Sequence, residues 1–188
     1  MNVMTNTVLY DTNFLQLKST PAKSGNPWVY AHRPNAKDVV VILPHTEDEV
    51  LFLIEERPPI QAENRGQYTI GLAAGLVGDE RAGESIEDAI KAELLEETGL
   101  IADTIKIKAL KVASSAGCTS ETCTLAIAYI KDKSQIQPPV SDGGIIVDRV
   151  WVKKENIFSW LKEKENEGCV LTAQALATLF YLYEETKL

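Results

Sequence analysis

The chain has 188 residues, 45% of them hydrophobic and 24% charged, and a formal net charge of −8. That length and balance suit a globular domain with a sizeable core rather than a disordered chain. The acidity argues against a general binder of nucleic acid or anionic membrane, so any anionic ligand would be attracted locally, through a cation.

The opening "MNVMTNTVLYDTNFL" lacks the basic region and apolar block of a signal peptide. No stretch approaches the roughly 18 apolar residues of a membrane span. Cys118, Cys123 and Cys169 are odd in number and without paired metal-site spacing, which reads as reduced thiols. A soluble, cytoplasmic protein is expected.

In chain order, "TVLYDTNFLQLKST" alternates loosely and predicts an N-terminal strand. "PWVYAHR" follows a Gly-Asn-Pro turn as a short strand. "DVVVILPH" and "EVLFLIEER", split by the polar "TEDE", predict a hairpin. After a polar loop, "QYTIGLAAGLVG" begins as a strand and breaks up at its glycines. A helix is expected over about 84–98, then strands in "TIKIKALKVA", "ETCTLAIAYIK" and "GIIVDRVWVKK". "ENIFSWLKEKENEG" and "LTAQALATLFYLYEETK" carry helical periodicity, the latter with Leu171, Leu176, Leu179 and Phe180 as its expected apolar stripe. Helices covering a mixed sheet follow from this order.

The central helix poses an electrostatic problem. Ser85 and Asp88 resemble a capping box, Gly99 stands where a helix-ending glycine belongs, and Ile86, Ala89, Ile90, Leu94 and Leu95 form the expected buried stripe. Glu93, Glu96 and Glu97 then crowd the C-terminal end, where the helix dipole disfavours each by a few tenths to ~1 kcal/mol. Glu93 and Glu97 share one face as an i, i+4 like-charge pair, with Glu96 beside them. Only Lys91 offers positive charge nearby. Solvated surface glutamates are the plain explanation; a hard divalent cation such as Mg²⁺ or Mn²⁺ is the functional one.

Gly78, five residues, Glu84, seven residues, then "AELLEETGL" resembles the Nudix box. Glu84, Glu93, Leu94, Glu96, Glu97, Gly99 and Leu100 all fall on that pattern, and the box arginine is replaced by Ala92. The likeness spans roughly residues 25–165 and is strongest to the ADP-ribose and nucleotide-sugar pyrophosphatase branch. It implies an α/β (α+β) protein of Nudix fold: a curved mixed β-sheet sandwiched between helices, with an N-terminal β extension. Residues 1–35 would be the N-terminal strands, a dimerisation or base-contact element, and 36–188 the hydrolase domain.

Further segments resemble the branch. "EERPPI" is similar to its "QYRP", which implies a phosphate contact for Arg57. "GLAAGLVG" is similar to "ELPAGLVE", which implies the Ala74 carbonyl as a metal ligand, with Gly71 replacing the pattern's glutamate. Either Gly75 or Gly78 serves as the box glycine. "SSAGCTSE" resembles a loop that would make Glu121 a substrate or second-metal contact, with Ala116 replacing its proline. Asp142 stands where relatives carry an acidic run, so Asp142 or Glu121 is the expected general base, with Glu96 and Glu97 left open. Trp28, with Tyr30 beside it, would offer an aromatic surface to the nucleobase, while His32 and His45 are expected to be structural.

The resemblance therefore implies a Mg²⁺- (or Mn²⁺-) dependent hydrolase cutting the diphosphate of a nucleoside diphosphate linked to X, most plainly ADP-ribose or a nucleotide-sugar. Glu84, Glu93, Glu96 and Glu97 with Ala74 would form the metal site, in a homodimer. The competing expectation is a catalytically silent Nudix-like domain that senses a nucleotide-sugar, which the departures at Ala92, Gly71 and Ala116 favour.

Overall fold

The computed structural model describes residues 6–78, 83–135 and 145–186. Strands β1 (Thr7–Asp11), β2 (Gln16–Pro21) and β3 (Pro27–His32) form a separate antiparallel sheet. The single N-terminal strand expected from the sequence is thus two. The Thr12 hydroxyl accepts from the Leu15 and Phe14 amides at 2.9 and 3.2 Å and turns the chain there.

The large sheet runs β11 (Val170–Leu171), β6 (Thr69–Gly71), β5 (Glu49–Glu55), β4 (Val39–His45), β9 (Thr122–Tyr129), β8 (Thr104–Ala113). Off this path, β7 (Ala73–Leu76) pairs with β4 and β10 (Ile146–Lys153) with β5. The expected hairpin of β4 and β5 survives only at its turn, where His45 pairs with Val50. A strand has two edges to offer. Those of β4 are taken by parallel β9 and antiparallel β7, and those of β5 by antiparallel β10 and β6, so the two strands splay apart.

Apolar runs without polar alternation indicate strands covered on both faces. Val41, Leu43, Val50, Phe52, Leu125 and Ile127 point one way, against α3 (Ile157–Asn166) and α4 (Ala173–Thr186). Their neighbours Val40, Ile42, Leu51, Leu53, Ala126 and Ala128 point the other way, against α2 (Ile86–Thr98). The sheet is therefore sandwiched between helices, as the sequence implies. A short helix, α1 (Pro58–Ala62), occupies part of the expected polar loop, opened by prolines in its first turn.

The stripe expected on α4 needs correction. Leu179 is buried as expected, but Leu176 and Phe180 are exposed, Leu171 lies on β11, and Leu179's buried neighbours are Ala175, Thr178 and Leu182. Both sets fit a helical period; what selects between them is the floor offered by Phe52, Leu125 and Ile157. On α2 the expectation holds better: Ala89, Ile90 and Leu94 are fully buried and Ile86 packs against them. Leu94→Ala should cost about 2–5 kcal/mol, because it deletes the methyl groups that seat α2 on the sheet. Urea unfolding with an unchanged m-value is the measurement that reads this loss.

Candidate active site

Helix α2 begins as expected, with the Ser85 hydroxyl accepting from the Asp88 amide at 3.1 Å. It ends at Gly99, whose φ of 73° is left-handed and whose amide donates to the Leu95 carbonyl at 2.8 Å. Burying Ile90 and Leu94 turns the adjacent face, that of Glu93 and Glu97, onto β7. Glu97 Oε2 accepts from the Ala74 amide at 2.8 Å. The Glu93 carboxylate lies so close to Gly75 that a Cβ there would meet it at 1.9 Å. The two candidates for the box glycine thus have different tasks. Gly75 makes room for Glu93, while Gly78, at φ +83°, turns the chain and donates its amide to Glu84 at 3.3 Å.

Across from this edge lies a cavity of about 690 Å³ whose lining includes Ala74, Gly75, Glu55, Arg57, Arg33 and Glu121. Arg57 Nη2 donates to the buried Glu55 carboxylate at 2.6 Å. Arg33 Nε donates to Glu121 Oε2 at 2.8 Å, and the Ser114 hydroxyl donates to Glu121 Oε1 at 3.1 Å. The loop carrying Glu121 is laced to β3: the Ala31 amide donates to the Cys118 carbonyl, and the Ser120 amide to the Ala31 carbonyl. His32 Nδ1 lies 2.8 Å from the Ser120 hydroxyl, and His45 Nδ1 lies 2.9 Å from the Thr46 carbonyl. Both imidazoles serve local structure at these contacts.

The structure thus brings Glu93, Glu97, Ala74, Arg57 and Glu121 to one region. Glu84 and Glu96 instead line a second cavity of about 600 Å³, together with Asp88, Lys91 and Ala92. Trp28 is exposed, and its indole donates to the Gly117 carbonyl at 3.0 Å. Asp142 lies outside the described residues.

Sequence reasoning missed Arg33, Glu55 and Arg149. Arg149 Nε, on β10, donates to the Glu97 carbonyl at 2.5 Å. It brings positive charge to the negative pole of α2, where the chain's own last turn has no basic residue. No local motif marks Arg33 or Arg149, and Glu55 opens the segment "EERPPI", in which only Arg57 was assigned a role.

The Glu97 carboxyl is pushed up to about 8, chiefly by desolvation and further by the charges of Glu93 and Glu55; the Ala74 amide and Arg57 oppose the rise. Among the described residues no three carboxylate, imidazole or thiol groups already converge as a cation cage. The donors at hand suit Mg²⁺ nonetheless, since that ion commonly takes one or two carboxylates and completes its shell with waters and substrate phosphate. Glu93 and Glu97 fit that requirement.

With this geometry described, comparison with known proteins identifies the class. The NUDIX domain model matches residues 34–172, and the chain belongs to the Nudix family of hydrolases. No curated protein sequence matches it. In three dimensions it is similar to the crystal structure of an ADP compounds hydrolase, at 18% identity and a TM-score of 0.70, covering 97% of this chain and 92% of that one. At that identity the likeness concerns the fold.

A carboxyl raised in the folded state binds a proton there that the unfolded chain has already released. Its stabilising effect is present at low pH and is lost as pH rises from about 4.5 to about 8. Metal-free protein should therefore lose stability over this window, with a slope from Glu97 of up to ~1.4 kcal/mol per pH unit. Melting temperatures across pH 5–8, for the wild type beside Glu97→Gln, test this (roughly the window set by the linkage relation). The variant should lack the slope.

Proposed function

We propose that the protein is a Mg²⁺- or Mn²⁺-dependent pyrophosphatase acting on a nucleoside diphosphate linked to X, with ADP-ribose or a nucleotide-sugar as substrate. The observation that carries this reading is that the half-buried Glu93–Glu97 pair seats on Gly75 and Ala74, two residues that line one cavity together with Arg57 and Arg33. Carboxylates and guanidinium groups serve different parts of such a substrate. Glu93 and Glu97, with the Ala74 carbonyl, would hold the cation, and Glu84 and Glu96 would supply the outer acidic group. Held there, a divalent cation would supply charge to offset the diphosphate and would lower the pKa of a water for attack on phosphorus. The guanidinium groups of Arg57 and Arg33 suit phosphate oxygens, so they would hold the substrate in line rather than take part in bond making.

Glu121, held by Arg33 and Ser114, and Asp142 are the candidates for general base, with Glu96 and Glu97 as alternatives. Similarity in fold to an ADP compounds hydrolase supports an adenine-containing substrate. The N-terminal sheet exposes Val8, Leu9, Tyr10, Leu17, Trp28 and Val29, which supports a homodimer in which Trp28 offers its ring to the nucleobase. We place the enzyme in the cytoplasm.

Release of phosphate-containing products from ADP-ribose and a panel of nucleotide-sugars, with and without Mg²⁺, tests the proposal. Cleavage should require the cation, and Glu97→Gln should lower kcat/KM by ~10²-fold or more. A panel left intact in the presence of Mg²⁺ would contradict it.

A further inference from the structure

The segment similar to "ELPAGLVE" lacks its first glutamate, because position 71 is glycine. The backbone does not ask for glycine there. Gly71 is not among the residues with positive φ, so an L side chain would be unstrained. Space is what is short there, because a side chain would have to displace the Glu55 carboxylate. A Cβ at residue 71 would lie 2.7 Å from Glu55 Oε2 and 3.4 Å from its Cδ, and the next contact, Thr172 Cγ2, is 3.8 Å away. The obstacle is a carboxylate, delivered from the neighbouring strand.

Glu55 closes β5 and pairs in register with Thr69 of β6, two residues before Gly71. It is only 2% exposed, unusual for a glutamate. Its oxygens are engaged: Oε1 accepts from Arg57 Nη2 at 2.6 Å, and the Thr69 hydroxyl donates to Oε2 at 3.4 Å. The Arg57 side chain is 40% exposed at the cavity shared with Ala74 and Gly75, so its pairing with Glu55 decides where the guanidinium points. Both charges are felt at Glu97.

We infer that Glu55 is a positioning residue whose carboxylate has taken over, from β5, the place of the missing glutamate on β6, and that it holds Arg57 toward the substrate diphosphate. The glycine at 71 and the buried glutamate at 55 are then one reciprocal exchange, each making sense of the other. This rests on the hydrolase reading above for its catalytic consequence. The exchange itself concerns only the fold.

The test is steady-state hydrolysis of ADP-ribose in Mg²⁺, with melting temperatures, for wild type, Glu55→Ala, Arg57→Ala, Glu55→Ala/Arg57→Ala and Glu55→Ala/Gly71→Glu. Losing the charge-assisted bond that orients Arg57 should raise KM by about tenfold and change kcat by less than about threefold. The double variant with Arg57→Ala should be no worse than Arg57→Ala alone. Glu55→Ala/Gly71→Glu should recover KM, because the carboxylate is returned to the cavity floor from the other strand. An unchanged KM in Glu55→Ala, or Glu55 and Arg57 effects that multiply, would overturn the inference. If Glu55→Ala does not fold, Glu55→Gln keeps the shape, removes the charge and should still raise KM; an unaltered KM there overturns it equally. Should the wild type cleave nothing, the hydrolase reading fails separately. The exchange is then decided by whether Gly71→Glu restores the melting temperature lost in Glu55→Ala: restoration supports it and no restoration overturns it.

Discussion

A carboxylate moved out of water is costly unless hydrogen bonds and opposite charge replace its hydration, and the Glu97 contact with the Ala74 amide is where this chain accepts that cost. The rest of the site is arranged around it. Ile90 and Leu94 anchor α2 on the sheet, which leaves Glu93 and Glu97 no direction but β7. Gly75 lets Glu93 approach the backbone, and Arg149 meets the carbonyl at the end of the helix. The result is a group of carboxylates beside a cavity that also presents two guanidinium groups, Arg57 paired with Glu55 and Arg33 with Glu121. The proposed phosphate-bearing ligand, brought in with a cation, would meet both halves of that arrangement.

The parts of this design that were legible in the sequence are those written in consecutive residues. Ser85, the buried Ala89, Ile90 and Leu94, the glutamates and Gly99 follow a helical repeat closed by a cap, so both the helix and its cluster could be read directly. The parts that were not legible are held by residues far apart in the chain. Arg149 reaches Glu97 across 52 positions, and Arg33 reaches Glu121 across 88. Neither pairing leaves a local pattern. The buried face of α4 was misjudged for a related reason: Leu176 and Phe180 fit the period as well as Leu179 and Leu182 do, and only the sheet beneath chooses between them. The splaying of β4 and β5 was hidden too, because a turn signal says nothing about which strands later claim each edge.

The three departures from the family pattern have different structural settings. At Ala92 the helix surface opens on a cavity shared with Glu84 and Glu96, where a longer side chain would have room. At Gly71 the space is filled by Glu55. At Ala116 the loop is still fixed to β3 through Ala31, Cys118 and Ser120, so its course does not depend on a proline. The replacements thus fall around the Glu93–Glu97 pair rather than on it.

In the proposed hydrolase, a cation bound at Glu93 and Glu97 would replace the proton that burial favours on the Glu97 carboxyl. Calorimetric titration with Mg²⁺ near neutral pH, in buffers of different ionisation enthalpy, counts the protons released on binding. Release approaching one proton per cation is expected, since burial pushes the Glu97 carboxyl up to about 8. Gly75→Ala, whose Cβ would displace the Glu93 carboxylate, should also weaken binding. Proton-neutral binding of Mg²⁺, or affinity untouched by Gly75→Ala, would contradict that proposal.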